Sequence, residues 1–257
     1  MNQSTTAAHQ ADRHFYHRVS RTGTYGFLSA LPLILMYEVL VVFANQDSLS
    51  QVRVGAEVWL KQLFALIGSA GMVAFGVVVL LVGVGIFWYE RKQHIPLRAR
   101  YFLWMILESS VYAVLVAIIV SGIVGAILTV SALGISQPAV QSVAAMDLSL
   151  KLALSIGAGI YEELLFRVIL VGGLYLLVRR FARGRGLAYT AAAVVGAVLF
   201  SWVHYLGPYG DAFTMGSFLF RFFFGLVLNC LFLFRGFGIA AWTHALYDVM
   251  LVLGIFS

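Results

Sequence analysis

The feature that most constrains this chain is a succession of long apolar stretches with few polar residues between them. Of its 257 residues, 61% are hydrophobic and only 11% are charged, whereas soluble domains are about half apolar and a quarter charged. This composition excludes a water-soluble fold, and it excludes intrinsic disorder, which needs low hydrophobicity and high net charge. Because a bilayer core takes roughly 20 apolar residues per helix, the sequence predicts an all-α, polytopic transmembrane helical bundle.

The lengths of the apolar stretches predict seven membrane spans. The predicted spans lie near 25–44, 64–88, 101–130, 149–178, 187–206, 213–234 and 238–256. The chain then consists of a polar amino-terminal segment, 1–24, and a single transmembrane domain, 25–257. No internal repeat is visible, which weighs against transporters built from inverted repeats.

Lysine and arginine residues fall mainly on one side of these spans. Of the 17 Lys and Arg residues, twelve precede span one or follow an even-numbered span, and Arg235 after span six is one of these twelve. Three others lie in the opposite loops. Since cytoplasmic loops carry the basic excess, the amino terminus is predicted to be cytoplasmic. The net charge of +6 is then a consequence of topology, so no nucleic-acid partner is expected.

Two adjacent acids in the fourth span are given different roles by helical geometry. Glu163 and Arg167 are four residues apart on one face, in the order that favours an ion pair. Glu162 is rotated by about 100° from Glu163 on an α-helix, so it is left without that partner. A free carboxylate in an apolar setting can accept a proton. The alternative is that both acids pair with basic groups across helix contacts.

Two histidines lie within the later spans. His204 ends the pattern Phe200-xxx-His204 in span five, where a lone histidine is typical of a hydrogen bond between helices. His244 and Asp248 in span seven are four residues apart and share a helix face. That spacing suits a histidine oriented by an acid, or two groups directed at one bound water or ion. A purely structural hydrogen bond is the alternative for this pair.

In this order, and on successive hydrophobic segments, the three patterns resemble those of the CPBP family of intramembrane proteases. That family includes the type II CAAX prenyl proteases and the bacteriocin-processing or immunity-associated membrane proteins. Its patterns are EExxxR, FxxxH and HxxxN or HxxxD, and the resemblance covers about residues 149–256. Residues 220–225, Phe-Arg-Phe-Phe-Phe-Gly, are similar to a Phe- and Gly-rich helix of the family.

The resemblance implies an intramembrane endopeptidase that hydrolyses a peptide or membrane-protein substrate in the lipid bilayer with a glutamate-activated water. On this interpretation Glu162 is the general base, and His204 holds the same water. His244 stabilises the oxyanion, a contribution usually worth a few kcal/mol. Glu163 and Arg167 fix the helix and keep Glu162 directed at the cavity.

Asp248 departs from the prenyl-protease pattern, which has Asn at this position. The amide of Asn can donate to an oxyanion, whereas an ionised Asp cannot donate. Asp248 is therefore either protonated or serves to orient His244. Both possibilities fit the bacterial branches of the family, and both count against a prenylated CAAX substrate.

Two other functions remain open. Glu162, His204 and His244 are a possible zinc site with one open position, because two His and one Glu form a known catalytic ligand set. No cofactor is favoured, however, since the chain lacks an H-E-x-x-H pair. The other function is non-enzymatic, either an ion or proton pathway or an immunity-type protein, because buried Glu, His and Asp also mark proton relays.

Helix length sets a condition on this site. At 1.5 Å per residue, His204 lies about 25 Å from the start of its predicted span and His244 only about 9 Å from the start of its own. These residues meet only if span five begins nearer Ala193, if span seven starts after a break at Gly236 and Gly238, or if the helices tilt. Arg221, inside span six, is expected to pair with Glu108 or Asp248.

Overall fold

The described part of the chain folds into helices joined by short connections. The structure, a computed structural model, describes residues 12, 14–44, 53–65, 71–130, 146–207 and 210–256, and no strand occurs in these ranges. The helices are α1 Gly23–Ala44, α2 Gly55–Ala65, α3 Gly71–Glu90, α4 Ala99–Val130, α5 Leu148–Gly157, a π-helical segment Ala158–Val171, α6 Gly172–Val178, α7 Arg185–Val203, α8 Met215–Arg235 and α9 Phe237–Val252. The predicted all-α fold is confirmed.

Several of the helices have the length and apolar character of membrane spans. Those that meet both conditions are Gly23–Ala44, Ala99–Thr129, Arg185–Val203 and Met215–Arg235, and α9 is a shorter apolar helix. Large hydrophobic side chains cover their outer surfaces, as at Leu35, which is 67% exposed. Such surfaces are stable against lipid, where the helical backbone satisfies its own hydrogen bonds. The protein is thus an integral, polytopic membrane protein, and the count of seven spans stays a prediction.

Most predicted spans agree with the observed helices, and the second does not. Predicted span 64–88 begins before α3, whose first residue is Gly71, and α2 occupies a stretch that was predicted to be a polar loop. Residues 66–70 of that span lie outside the described residues. A search for runs of 20 apolar residues misses α2 because this helix has only 11 residues and carries Glu57 and Lys61.

A buried charge cluster holds α2 on the bundle. The Glu57 side chain is fully buried, and Arg53 Nη1 lies 2.8 Å from Glu57 Oε1. The Tyr37 hydroxyl and the Lys61 ammonium also donate to this carboxylate. Because a buried carboxylate is stable only when it is paired and hydrogen-bonded, this cluster ties α2 to α1.

The connection between α8 and α9 lies inside the bundle. Arg235 is buried, and its Nε and Nη2 lie 2.6 Å and 2.7 Å from the two Glu108 carboxylate oxygens. Gly236 turns the chain with φ +84°, and a Cβ at this position would lie 3.2 Å from the Arg21 carbonyl oxygen. Arg235 therefore has its charge neutralised by Glu108, and it also donates to the His17 carbonyl oxygen of the amino-terminal segment at 3.2 Å. Its place on the cytoplasmic side stays a prediction.

Helix α9 is the central helix of the bundle. It packs against α1, α4, α5, α8 and the π-helical segment, and every residue from 238 to 245 is buried. Gly159 lets the π-helical segment approach α9 closely, since a Cβ there would lie 2.6 Å from Ala245 Cβ and 2.7 Å from the Ala241 carbonyl oxygen. Small residues at such contacts are typical of helix packing in membranes. This close approach brings Glu163, one turn further along, to the face of α9 that carries His244.

Candidate active site

The two acids of the first motif lie on the π-helical segment, not on the α-helix that the sequence predicted. A π-helix has i→i+5 hydrogen bonds and is rare, and it occurs frequently at functional sites. The segment runs for 14 residues without a break between α5 and α6. Its two acids still separate as expected, because Glu163 is fully buried whereas the Glu162 side chain is 16% exposed.

Glu163 binds two partners through the same oxygen. Its Oε1 lies 3.0 Å from Arg167 Nη1, which is the predicted ion pair. The same oxygen accepts a hydrogen bond of 2.7 Å from His244 Nδ1. The sequence did not predict this second contact, because it joins residues 81 positions apart and no spacing rule applies across helices. Glu163 therefore connects the first motif to the third.

Glu162 faces His204 at the end of α7. His204 is the C-cap residue of α7, and its Nδ1 lies 2.7 Å from the Phe200 carbonyl oxygen. Since a carbonyl oxygen only accepts, Nδ1 carries a hydrogen, and in the neutral ring Nε2 is then an acceptor. Nε2 lies 3.8 Å from Glu162 Oε2, too far for a direct hydrogen bond. The carboxylate and the imidazole nitrogen thus face each other across a gap.

His244 lies between two carboxylates. Its Nδ1 faces Glu163, and its Nε2 lies 3.5 Å from Asp248 Oδ2. The His244 side chain is buried, whereas that of Asp248 is 25% exposed. The predicted proximity of His244 and Asp248 is therefore present, but the shorter bond to Glu163 makes Glu163 the acid that orients the ring.

Phe200 lies at the centre of this cluster. Its ring centroid lies 5.0 Å from that of His204 and 6.1 Å from that of His244. The Arg167 guanidinium lies 4.5 Å from the same centroid, a cation–π distance. From the sequence alone, Phe200 has no predicted role beyond its place in the Phe200-xxx-His204 motif. Its ring contacts side chains from all three motifs.

The Phe- and Gly-rich stretch of α8 supports the same cluster from the other side. A Cβ at Gly225 would lie 3.0 Å from Phe200 Cδ1, so the absence of a side chain lets α8 approach α7. The Phe224 ring packs edge-on against His244 with centroids 5.1 Å apart. Residues 220–225, which are similar to a helix of the family, therefore pack directly against the candidate site.

The condition on helix length is met without moving the start of α7. That helix begins at Arg185, so the possibility of a start near Ala193 is wrong. The break at Gly236 is present. A cleft of about 500 Å³ lies between the π-helical segment, α6 and α7; its lining includes Phe166 and Val203 but neither Glu162 nor His204. Its lining is almost entirely apolar.

The zinc site that was left open stays a prediction. Among the residues that the structure describes, no three His, Cys, Asp or Glu side chains are placed to hold one metal ion. The proposed ligands Glu162, His204 and His244 are divided between two pairs of contacts, and His244 is bound at Nδ1 by Glu163.

The expected pairing of Arg221 with Glu108 or Asp248 was wrong. Arg221 binds Asp211, which lies ten residues earlier in the connection to α8. Glu108 binds Arg235, and Asp248 faces His244. Arg221 therefore pairs with neither of the two expected acids. Its partner, Asp211, lies in the connection before α8, outside the predicted spans, so it was not among the charges considered as partners.

The fold and the site together define a polytopic helical membrane protein with two carboxylate–imidazole pairs at the meeting point of three helical elements. Residues 144–250 match the family described as Rce1-like type II CAAX prenyl endopeptidase. This match confirms the resemblance to the CPBP/CAAX protease family over that part of the chain, and the members of this family are peptide hydrolases. No curated protein and no solved structure matches the chain.

Proposed function

We propose that this protein is an intramembrane endopeptidase of the glutamic type, with Glu162 as the general base. The observation that carries the proposal is the gap of 3.8 Å between Glu162 Oε2 and His204 Nε2. Both atoms are acceptors in the neutral-ring state, and one water can donate a hydrogen to each of them. The side chains are 16% and 25% exposed, so water can reach this position.

The proposed reaction uses the two histidines for different tasks. The water held by Glu162 and His204 attacks the scissile carbonyl carbon, and Glu162 takes its proton. His244, protonated at both ring nitrogens, donates to the oxyanion that develops on the carbonyl oxygen. The carbon–nitrogen bond then breaks, and the proton on Glu162 passes to the leaving amine.

The neighbouring charges are proposed to prepare His244 for this task. Glu163 accepts from Nδ1 and fixes the plane of the ring, as acids behind functional histidines do. Arg167 balances the Glu163 charge at 3.0 Å. Asp248, whose Oδ2 lies 3.5 Å from Nε2, faces the second ring N–H until the substrate carbonyl arrives, and the proton stays on His244. An Asp in this place acts through His244, whereas an Asn would donate directly.

The substrate is proposed to be a peptide or membrane protein that reaches the site within the bilayer. A prenylated CAAX substrate is not part of the proposal, because Asp248 stands where the prenyl proteases have Asn. The orientation is proposed from the excess of Lys and Arg before span one and after the even-numbered spans. It places the amino terminus in the cytoplasm, in a bacterial inner or plasma membrane.

The Glu162→Gln variant tests the proposed function. Membranes that carry the wild-type protein should yield cleavage products identifiable by mass spectrometry. Glu162→Gln should lower their rate of formation by about 10²-fold or more, because the amide cannot accept the proton. Glu38→Gln is the matched control, since Glu38 is a half-exposed acid bound to Arg53 and should leave the rate unchanged.

Three outcomes would contradict the proposal. Cleavage that persists in Glu162→Gln would exclude Glu162 as the base. Cleavage that is lost with a chelator and restored by zinc would favour the metal-dependent mechanism. Coupled ion flux in proteoliposomes without any cleavage would favour the non-enzymatic function.

A further inference from the structure

Arg221 is a charged residue within an apolar helix that the proposed reaction does not use. It lies in the second turn of α8, and its side chain is only 19% exposed. Its guanidinium pairs with the Asp211 carboxylate and donates from Nη1 to Ser217 Oγ at 2.7 Å. The guanidinium also lies 5.2 Å from the centroid of the Tyr205 ring. Because a charge inside a membrane helix is costly and usually functional, this set of contacts calls for an explanation.

The partner of Arg221 is connected directly to His204. The Asp211 backbone N–H donates to the His204 carbonyl oxygen at 2.9 Å. The last carbonyls of a helix have no partner within the helix, and His204 is the C-cap residue of α7. Asp211 therefore satisfies a helix end that the α7 backbone leaves open, while its side chain is held by Arg221.

A second connection runs parallel to the first. The Tyr205 hydroxyl donates to Ser217 Oγ at 2.9 Å, and this oxygen also accepts from Arg221. The residue that follows His204 is thus tied to the same turn of α8 as Asp211. Both connections meet at Arg221, because its guanidinium contacts Asp211 and Ser217.

We propose that Arg221 and Asp211 form a strap that holds the end of α7 so that His204 faces Glu162. They are positioning residues, since neither contacts Glu162 or the proposed water. The catalytic part of this inference rests on the proposed function, whereas the structural part does not. Helix ends fray readily, and a displacement of about 1 Å at a catalytic group can cost 10²-fold in rate.

Hydrogen exchange of the full-length protein in lipid nanodiscs tests the strap without reference to activity. In Arg221→Gln and Asp211→Asn, the amides of Asp211 and of residues 204–207 should exchange at least about tenfold faster, because one stabilising contact is lost. Peptides from α9 should exchange as in the wild type. Arg221→Lys keeps the positive charge and should retain most of the protection. This control, together with the α9 peptides, separates loss of the strap from a general folding defect in Arg221→Gln.

Kinetics test whether the strap acts through His204. Arg221→Gln should lower kcat by about 10- to 100-fold with KM within about twofold of the wild type, because His204, which holds the water, is misplaced while substrate contacts remain. The control is Arg100→Gln, which removes an exposed ion pair with Asp12 and should change neither constant.

Failure of the strap and failure of the proposed function give different results. Unchanged exchange in both Arg221→Gln and Asp211→Asn would overturn the strap, whatever the activity. Faster exchange with an unchanged kcat would overturn its positioning role. If the wild-type protein cleaves nothing, or if Glu162→Gln keeps full activity, the proposed function fails, and the exchange result alone decides whether the strap exists.

Discussion

At the scale of single residues, the site depends on a buried acid that serves two helices. Glu163 is fully buried and binds Arg167 along its own segment and His244 on α9. Arg167 is equally buried, and its N–H groups make no hydrogen bond within the described ranges. Its charge is balanced by Glu163 at 3.0 Å and by the Phe200 ring. Such a pair fixes one arrangement of the helices because neither charge tolerates the loss of the other.

Arg167→Met is expected to destabilise the fold strongly. The substitution removes the guanidinium from its pair with the buried Glu163 carboxylate, and the loss of one partner of a buried pair costs about 3–5 kcal/mol. Unfolding in detergent micelles, followed by circular dichroism against denaturant, gives the free energy of unfolding.

Arg100→Gln is the control for this comparison. Arg100 forms an ion pair with Asp12, but its side chain is 51% exposed, so its removal should cost at most about 1 kcal/mol. Equal losses in the two variants would show that the pair formed by Glu163 and Arg167 contributes no more than a surface contact.

The sequence predicted most of the site residues but not all of their partners. The i, i+4 spacing of Glu163 with Arg167 and of His244 with Asp248 led to contacts that the structure shows. The contact of Glu163 with His244 and the pairing of Arg221 with Asp211 were not predictable in this way. The first depends on how α9 packs, and the second on the path of the connection after α7.

At the scale of elements, the contact between the π-helical segment and α9 determines how the acids meet His244. At Gly159 these two elements approach closely enough that an added Cβ would clash with α9. Glu163 lies four residues after Gly159 on the π-helical segment. On α9, a side chain at Gly159 would clash with Ala245, which directly follows His244. A change in the separation at Gly159 is therefore transmitted to the bond between Glu163 and His244.

Gly159→Ala is expected to lower activity by separating these elements. The added Cβ would lie 2.6 Å from Ala245 Cβ and 2.7 Å from the Ala241 carbonyl oxygen, so the backbones must move apart. Overpacking of this kind costs about 1–3 kcal/mol, and displacement of His244 should reduce kcat by about tenfold or more. Cleavage assays and denaturant unfolding measure the two effects.

Gly173→Ala supplies the comparison within the same continuous helix. No atom lies within 4 Å of a Cβ at Gly173, and replacing a helical Gly by Ala is usually stabilising by about 1 kcal/mol. This variant should therefore keep its activity and be slightly more stable. A Gly159→Ala protein that behaves in the same way would mean that the close approach has no influence on the site.

Element boundaries were predictable where apolar length alone defines them. Helices α1 and α4 begin and end within about two residues of their predicted spans, since the bilayer sets their length. Helix α2 was missed because it is short and is stabilised by buried ion pairs. The π-helical segment was missed because an apolar run does not distinguish i→i+4 from i→i+5 hydrogen bonding.

At the scale of the whole molecule, the charges inside the bundle fall into separate clusters with different tasks. One cluster, around Glu57, holds α2 on the bundle, and another, around Glu108 and Arg235, closes the junction of α8 and α9. The cluster of Glu162, Glu163, His204 and His244 differs from these in one respect. It contains an acid and an imidazole nitrogen that face each other without a direct hydrogen bond. Hydrolytic chemistry is proposed at this cluster for that reason.

A double-mutant cycle tests most directly whether Glu162 and His204 act on the same water. The rate constant kcat/KM is measured for the wild type, Glu162→Gln, His204→Gln and the double variant in the same membranes. Each single substitution should lower kcat/KM by about 10²- to 10⁴-fold. If one water joins the two side chains, the double variant should be no slower than the slower single variant. Losses that multiply would show that the two residues act independently and would contradict the proposed mechanism.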